Sequence, residues 1–253
     1  MISKNKIKYI RSLELKKNRS KEGVFVAEGH KVVNDLLDLQ PALLIVATSD
    51  WLAQKNINTS TEVIEVTGEE LRKVSFLQHP QQVLAVFKQP ENRGFGAHDI
   101  DTTQLSLALD GVQDPGNLGT IIRIADWFGI SHIYCSDDTA DVYNPKVVQA
   151  TMGSIARVKV AYGDLLSMIS SLPPEVPVYG TLLDGEDIYQ QQLANQGIIV
   201  MGNEGKGISP ALAKRVNHRL LIPNFPEGRP TADSLNVAIA TAITCAEFRR
   251  QWK

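Results

Sequence analysis

The second half of this 253-residue chain carries six short apolar runs, at residues 105–109, 133–135, 158–161, 176–183, 198–201 and 220–222. None shows the clean alternation of polar and apolar residues that marks a strand with one wet face. The pattern therefore predicts parallel strands buried on both sides. Helix-like segments at 118–128, 146–155, 165–171 and 211–216, with a last one from Ser234 to Arg250, supply the crossovers that parallel strands need. In such a sheet, ligands gather beyond the carboxyl ends of the strands.

Upstream, Ile7, Ile10 and Leu13 recur at helical spacing after Ser3, which predicts an amphipathic helix over 4–18 with lysines outward. Strands at 24–27, 43–47, 63–66 and 83–87 then alternate with helices at 31–39, near 50–54 and at 69–76, giving a small α/β unit. Residues 89–104 turn polar, with Pro90, Gly94 and Gly96, and read as a linker. The expected division is a basic N-terminal domain over 1–89, a linker over 90–104 and a larger domain over 105–253.

The net charge of −2 hides an asymmetry: residues 1–31 hold nine Lys or Arg against three Glu, a local +6 that leaves −8 for the rest. A basic N-terminus of this kind attracts a polyanion, although a solvated helix face has the same composition. Two cysteines, Cys135 and Cys245, have no metal spacing and read as buried thiols; five scattered histidines give no ligand cluster, so no metal is expected. No apolar run reaches membrane-spanning length and the N-terminus lacks a secretory apolar segment, so a cytoplasmic protein with no membrane partner is expected.

Three predicted strand ends carry unusual residues. After 105–109 comes Asp110-Gly111-Val112-Gln113-Asp114-Pro115-Gly116-Asn117, with Asn117 placed as a helix cap and Arg123 about two turns on, both facing one space. After 198–201 comes Gly202-Asn203-Glu204-Gly205-Lys206-Gly207, then Ser209-Pro210 at a helix start. Its three glycines free the backbone for positive φ and close approach. It is neither a P-loop, since Gly207 follows Lys206, nor a dinucleotide fingerprint, since Ile208, Ser209 and Pro210 follow Gly207. After 220–222 comes a turn-rich stretch from Asn224 to Asp233, then Ser234-Leu235-Asn236, with Ser234 a natural cap and Asn236 without apolar duty.

Together these segments resemble the motifs of the SpoU, or TrmH-type, branch of the SPOUT RNA methyltransferases. The matching residues are Asn117 and Arg123, then Gly202, Glu204 and Gly205, then Ser234, Leu235 and Asn236. The basic first third resembles the substrate-recognition domain that some members carry, chiefly through Phe25-Val26-Ala27-Glu28-Gly29. The resemblance implies an α/β fold in which a small RNA-recognition domain precedes a parallel-sheet SPOUT domain with a C-terminal trefoil knot. It implies S-adenosylmethionine as cofactor, held by Thr181, Leu182, Gly202, Asn203, Ile222 and Leu235, and a homodimer. It further implies 2'-O-methylation of a ribose in structured RNA, ribosomal RNA ahead of tRNA. Arg123, Asn117, Glu204, Ser234 and Asn236 would be the catalytic set, with Glu204 fixing Arg123 or a sugar hydroxyl. A non-catalytic RNA-binding protein of the same fold is the alternative. Singly, Asn117 and Ser234 also fit as plain caps, Glu204 as a loop tip and Arg123 as a surface cation. The stretch 224–233 is longer than the usual family turn and could add a substrate contact through Phe225 or Arg229.

Overall fold

The computed structural model describes residues 1–90, 94–95, 100–226 and 232–252. Two compact units emerge, and their division is not a single cut: the first comprises Met1–Glu91 with Asp141–Arg157, the second Asn92–Ala140 with Val158–Lys253. Residues 141–157, which the sequence assigns to the larger domain, thus pack with the first unit.

The first unit is built on a four-stranded sheet of β1 (Val24–Glu28), β2 (Leu44–Ala47), β3 (Glu62–Glu65) and β4 (Val83–Lys88) in the order β1-β4-β2-β3. Strand β4 runs antiparallel to β1 and β2, while β2 and β3 are parallel. Successive residues of β1 feed opposite faces. Phe25 and Ala27 join Ile45, Trp51 and Phe87 in one core, whereas Val24 and Val26 join Leu44, Val46 and Val86 in the other. The segment from 141 to 157 contributes Val148 to the first of these cores and sets the Tyr143 ring 4.9 Å from that of Phe25.

The single helix expected over 4–18 is two, α1 (Lys4–Ser12) and α2 (Lys16–Glu22), broken at the fully buried Leu13. Arg19 explains the break. Its side chain is 1% exposed and donates to the carbonyls of Leu13 at 2.8 Å and Glu14 at 2.6 Å, groups that a helix end leaves without partners. The same guanidinium pairs with Asp141. Arg19 is therefore a core residue, and the surface charge of this stretch comes from Lys4, Lys8, Arg11, Lys16, Lys17 and Lys21.

In the rest of this unit α3 (His30–Leu37), α4 (Ser49–Leu52) and α5 (Gly68–Val74) fall close to their expected places, and α7 (Pro145–Ala150) lies in the second packed segment. Ser3 caps α1 and Thr67 caps α5 in a reciprocal capping box with Glu70.

The second unit holds six strands: β5 (Leu105–Asp110), β6 (His132–Cys135), β7 (Lys159–Tyr162), β8 (Val178–Asp187), β9 (Gly197–Gly202) and β10 (His218–Leu221). Their order is β10-β8-β9-β5-β6-β7 and every pairing is parallel, in keeping with apolar runs that lack clean polar alternation. The chain winds outward one way through β5, β6 and β7 and the other way through β8 and β10. Between β5 and β9 the direction of winding reverses, and their ends lie side by side with Asp110 opposite Gly202. Such a reversal opens a crevice at the carboxyl ends.

Strand β8 adds a second feature. It pairs with β9 through Gly180, and along β10 its register jumps from Gly180 to Glu186 between the adjacent residues Arg219 and Leu220. Residues 181–185 leave the ladder and form a wall beyond the sheet. Around the sheet lie α6 (Pro115–Trp127), α8 (Leu165–Ser170), α9 (Pro210–Ala213) and α10 (Val237–Gln251). Among the described residues no helix is long and apolar enough to cross a membrane.

The buried Arg19 makes a direct test. Arg19→Met leaves Asp141 without its partner, and breaking a buried pair costs about 3–5 kcal/mol. A large fall in the urea midpoint of the full chain is the expected outcome; an unchanged midpoint would show that the pair holds nothing together.

Candidate functional site

The site begins with Asp110, Asn203 and Glu204, three polar residues at the touching ends of β5 and β9. The Asp110 carboxylate accepts the Ser209 N–H at 2.6 Å, which anchors the start of α9. Asn203 works in two directions, donating to the Gly111 carbonyl at 2.7 Å and accepting the N–H groups of Gly205 at 2.9 Å and Lys206 at 3.0 Å. Its backbone bridges to Gly207 through paired hydrogen bonds of 3.0 and 2.9 Å. The loop is therefore a closed turn rather than a floppy glycine string.

Of its three glycines only Gly207, at φ +69°, uses the left-handed region. Gly202 is needed for another reason: a Cβ there would lie 2.2 Å from both Gly207 C and Ile208 N. Gly205 has neither restriction.

Closed in this way, the turn aims Glu204 at the start of α6. One carboxylate oxygen accepts the Asn117 side-chain N–H at 3.0 Å and the Asp114 N–H at 3.3 Å, and the other the Gln113 N–H at 3.4 Å. A carboxylate suits this place, where unpaired N–H groups and the helix dipole concentrate positive charge. Asn117 passes the contact on by accepting from Asn236 Nδ2 at 2.9 Å. Asn236 in turn accepts from Ala238 N at 2.9 Å and Ile239 N at 3.3 Å, capping α10. The three strand ends are thus joined by one line of side chains, Glu204 to Asn117 to Asn236.

Two expected caps change. Asp114, not Asn117, caps α6, accepting the Asn117 N–H at 2.8 Å and followed by Pro115 at the first helical position. Asn236, not Ser234, caps α10. Freed from backbone duty, the Asn117 side chain is able to join Glu204 and Asn236. The Asp114-Pro115 dipeptide was the signal for the first change.

Beside this line opens a cavity of about 530 Å³, within the range of about 300–1,000 Å³ usual for small-ligand pockets. Thr181, Leu182, Gly202, Asn203, Ile222 and Leu235 all line it. So do Glu204 and Ser234. Much of the remaining wall is apolar, from Met201, Ile208, Leu221 and Val237. Asp184, Lys206 and Asp233 add charge; of these only Lys206 lies in a stretch whose glycine pattern marks it in the sequence. The Arg219 guanidinium, bonded to Asp184 at 2.5 and 2.6 Å, holds that carboxyl below its usual range.

Arg123 stands apart. It is exposed on α6, outside the cavity lining, and has no hydrogen bond or ion pair among the described residues. Six residues make less than two turns, so Arg123 lies about a third of a turn off the Asn117 face. Glu204 is held by backbone and Asn117 rather than by Arg123. In the long turn before Ser234, Phe225 is 91% exposed, while 227–231, including Arg229, lie outside the described residues. Both cysteines are buried, and burial pushes their thiols up, Cys245 to about 12, so neither is a nucleophile at neutral pH.

Residues 104–246 match the SpoU rRNA Methylase family. This chain belongs to that family. Residues 4–85 match the MRM3-like substrate binding domain. Among SpoU relatives, the 23S rRNA (guanosine(2553)-2'-O)-methyltransferase RlmP of Bacillus subtilis is 32% identical over 248 residues, covering 96% of each chain. A TrmH-family structure from Porphyromonas gingivalis superposes with a TM-score of 0.87 at 40% identity, covering 99% of both chains. An AdoMet-bound rRNA methyltransferase from Sinorhizobium meliloti gives 0.86 at 34% identity, covering 100% of this chain and 97% of the other.

In this SpoU chain the close approach at Gly202 yields a second prediction. Gly202→Ala forces a methyl group against the backbone of Gly207 and Ile208, and overpacking of this kind costs about 1–3 kcal/mol. The melting temperature is expected to drop by roughly 2–10 °C; a Tm equal to that of the unaltered chain would show that the loop is loosely held.

Proposed function

We propose that this chain transfers a methyl group from S-adenosylmethionine to a ribose 2'-hydroxyl of ribosomal RNA, with the 530 Å³ cavity as its cofactor site. The observation that carries the proposal is that the six residues the family resemblance implies for the cofactor, from Thr181 to Leu235, line one cavity beside the Glu204 line. Near-full-length similarity to a 23S rRNA ribose methyltransferase supports the same reading.

The donor set suits the cofactor. Leu182, Met201, Ile208, Ile222 and Leu235 offer an apolar surface for a flat base. Glu204 and Asp233 bring negative charge to a ligand that carries a sulfonium, and Lys206 suits its carboxylate. When bound, S-adenosylmethionine supplies an electrophilic methyl carbon. The protein's part is to position the ribose oxygen and to ease loss of its proton.

Arg123 serves that part as a cation. A guanidinium with a pKa above about 12 is a poor base at neutral pH, but it clamps a phosphate and stabilises a developing alkoxide well. Its exposure and lack of an intramolecular partner among the described residues support a phosphate role. Asn117 and Ser234 orient the substrate, while Glu204 and Asn236 act as positioning residues by fixing Asn117.

Because Arg123 lies outside its own chain's cavity lining, this reading calls for a homodimer in which it reaches the partner's cavity. Exposed apolar side chains on α6 and α10, Trp127 at 84% and Ile239 at 53%, support such an interface. The proposal keeps functional boundaries at 1–89, 90–104 and 105–253, with the basic first part gripping RNA. Exposed lysines of α1 and α2 and the match to a substrate binding domain support that grip, which would weaken steeply with salt. A trefoil knot in the segment after β10 and a cytoplasmic location belong to the same reading.

The test is uptake of labelled methyl from S-adenosylmethionine into unmodified ribosomal RNA, mapped to the ribose by alkali-resistant linkages. Uptake into a base, or none into ribosomal RNA, would contradict the reading. Arg123→Ala is expected to cut the rate at least about a hundredfold with cofactor affinity unchanged; retained activity would remove Arg123 from the site.

A further inference from the structure

The first unit holds a separate cavity of about 290 Å³ that methyl transfer does not use. Its walls come from β1 through Val26 and Glu28, from the turn after α5 through Phe76 and Leu77, and from α7 through Lys146 and Ala150. It lies at the small end of ligand pockets, with room for one planar heterocycle. Glu28 belongs to the stretch Phe25–Gly29 that stood out in the sequence.

Glu28 is only 6% exposed, yet its partners are few. One carboxylate oxygen accepts the Phe76 N–H at 2.7 Å and the other accepts the Ser75 hydroxyl. A carboxylate offers about four acceptor positions, so each oxygen keeps room for one more donor. Burial raises the Glu28 pKa against the pull of those two bonds and of the nearby Arg11 cation. The neighbouring turn is held firmly: Arg11 donates to the Ser75 carbonyl at 2.6 Å and sits 4.9 Å from the Phe76 ring centroid. Lys146, exposed, puts a cation at the rim.

We propose that this cavity is a nucleobase pocket for the RNA substrate, taking an unstacked guanine whose N1–H and N2–H donate to the two oxygens of Glu28. The chemistry selects the base. Guanine alone presents two adjacent donors on its Watson–Crick edge. Adenine and cytosine set an acceptor nitrogen beside their amino group, which a carboxylate repels, and uracil flanks its one N–H with two carbonyls. Apolar walls from Val26, Phe76 and Leu77 cover the faces of the base, and Lys146 meets a flanking phosphate. Single-stranded RNA is commonly read through such unstacked bases. The inference rests on the reading that RNA is the substrate.

Titration of the full chain with GMP, IMP, AMP, CMP and UMP, followed by NMR shifts, tests it. GMP is expected to bind best, and IMP, which lacks the N2 amino group, at least about tenfold more weakly. Ala150→Phe fills the cavity without replacing Glu28 or the Ser75 and Phe76 groups that donate to it, and should abolish GMP binding and raise KM for ribosomal RNA while leaving kcat within about twofold. Glu28→Gln, if it folds, should lose the preference for GMP over IMP. GMP binding no tighter than AMP or UMP, or surviving Ala150→Phe, would overturn the proposal. Methyl uptake by the unaltered chain, measured in parallel, separates the two claims: uptake without guanine preference sinks the pocket alone, and guanine preference without uptake sinks the activity alone.

Discussion

Everything at the proposed methyl-transfer site depends on one carboxylate held at a helix start. Glu204 accepts from two backbone N–H groups ahead of α6 and from the Asn117 amide, and this fixes the β9 loop against the β5 loop. A charge-assisted bond contributes about 1.5–3 kcal/mol when shielded and less where water competes. Here the Asn117 bond, at 3.0 Å, is the strongest of the three, and together they dock a turn that Asn203 already closes from within. Through Asn117 and Asn236 the same contact sets the start of α10, whose first turn lines the cavity through Val237 and Ala240.

The turn would not present Glu204 without its neighbours. Asn203 closes it from within, and Gly202 lets the returning backbone at 207–208 pass at a distance no side chain allows. The opposite wall arises from a different device, the departure of 181–185 from the ladder between β8 and β10. Gly185 sits in this excursion, where a Cβ would lie 2.5 Å from Leu220 C. One wall is hydrogen-bonded side chains and the other is backbone geometry.

Most strands and helices were legible, because buried parallel strands give unbroken apolar runs and their ends leave polar residues exposed for another purpose. The clustering of Thr181, Leu182, Gly202, Asn203, Ile222 and Leu235 was legible only through the family resemblance, since backbone contacts leave no composition signal. Three features lie beyond local sequence pattern for identifiable reasons. Arg19 counts as surface charge in a sequence, yet it satisfies the carbonyls at a helix break and pairs with Asp141, 122 residues away. Caps were assigned to Asn117 and Ser234 by residue type, when Asp114 before Pro115 and Asn236 held the better positions. The packing of 141–157 against Phe25 and its neighbours follows from long-range contacts that no local pattern announces, and it means that removing 1–88 would strip apolar cover from Val148.

The central claim is that the cavity shaped by Glu204 holds the methyl donor. Calorimetric titration of S-adenosylmethionine and S-adenosylhomocysteine into the full chain and into its Glu204→Ala variant tests it most directly. Saturable binding of both ligands to the unaltered chain, weakened at least about tenfold in the variant while Tm still reports a folded protein, is the predicted result. Binding of equal strength in the variant, or none to the folded unaltered chain, would contradict the account.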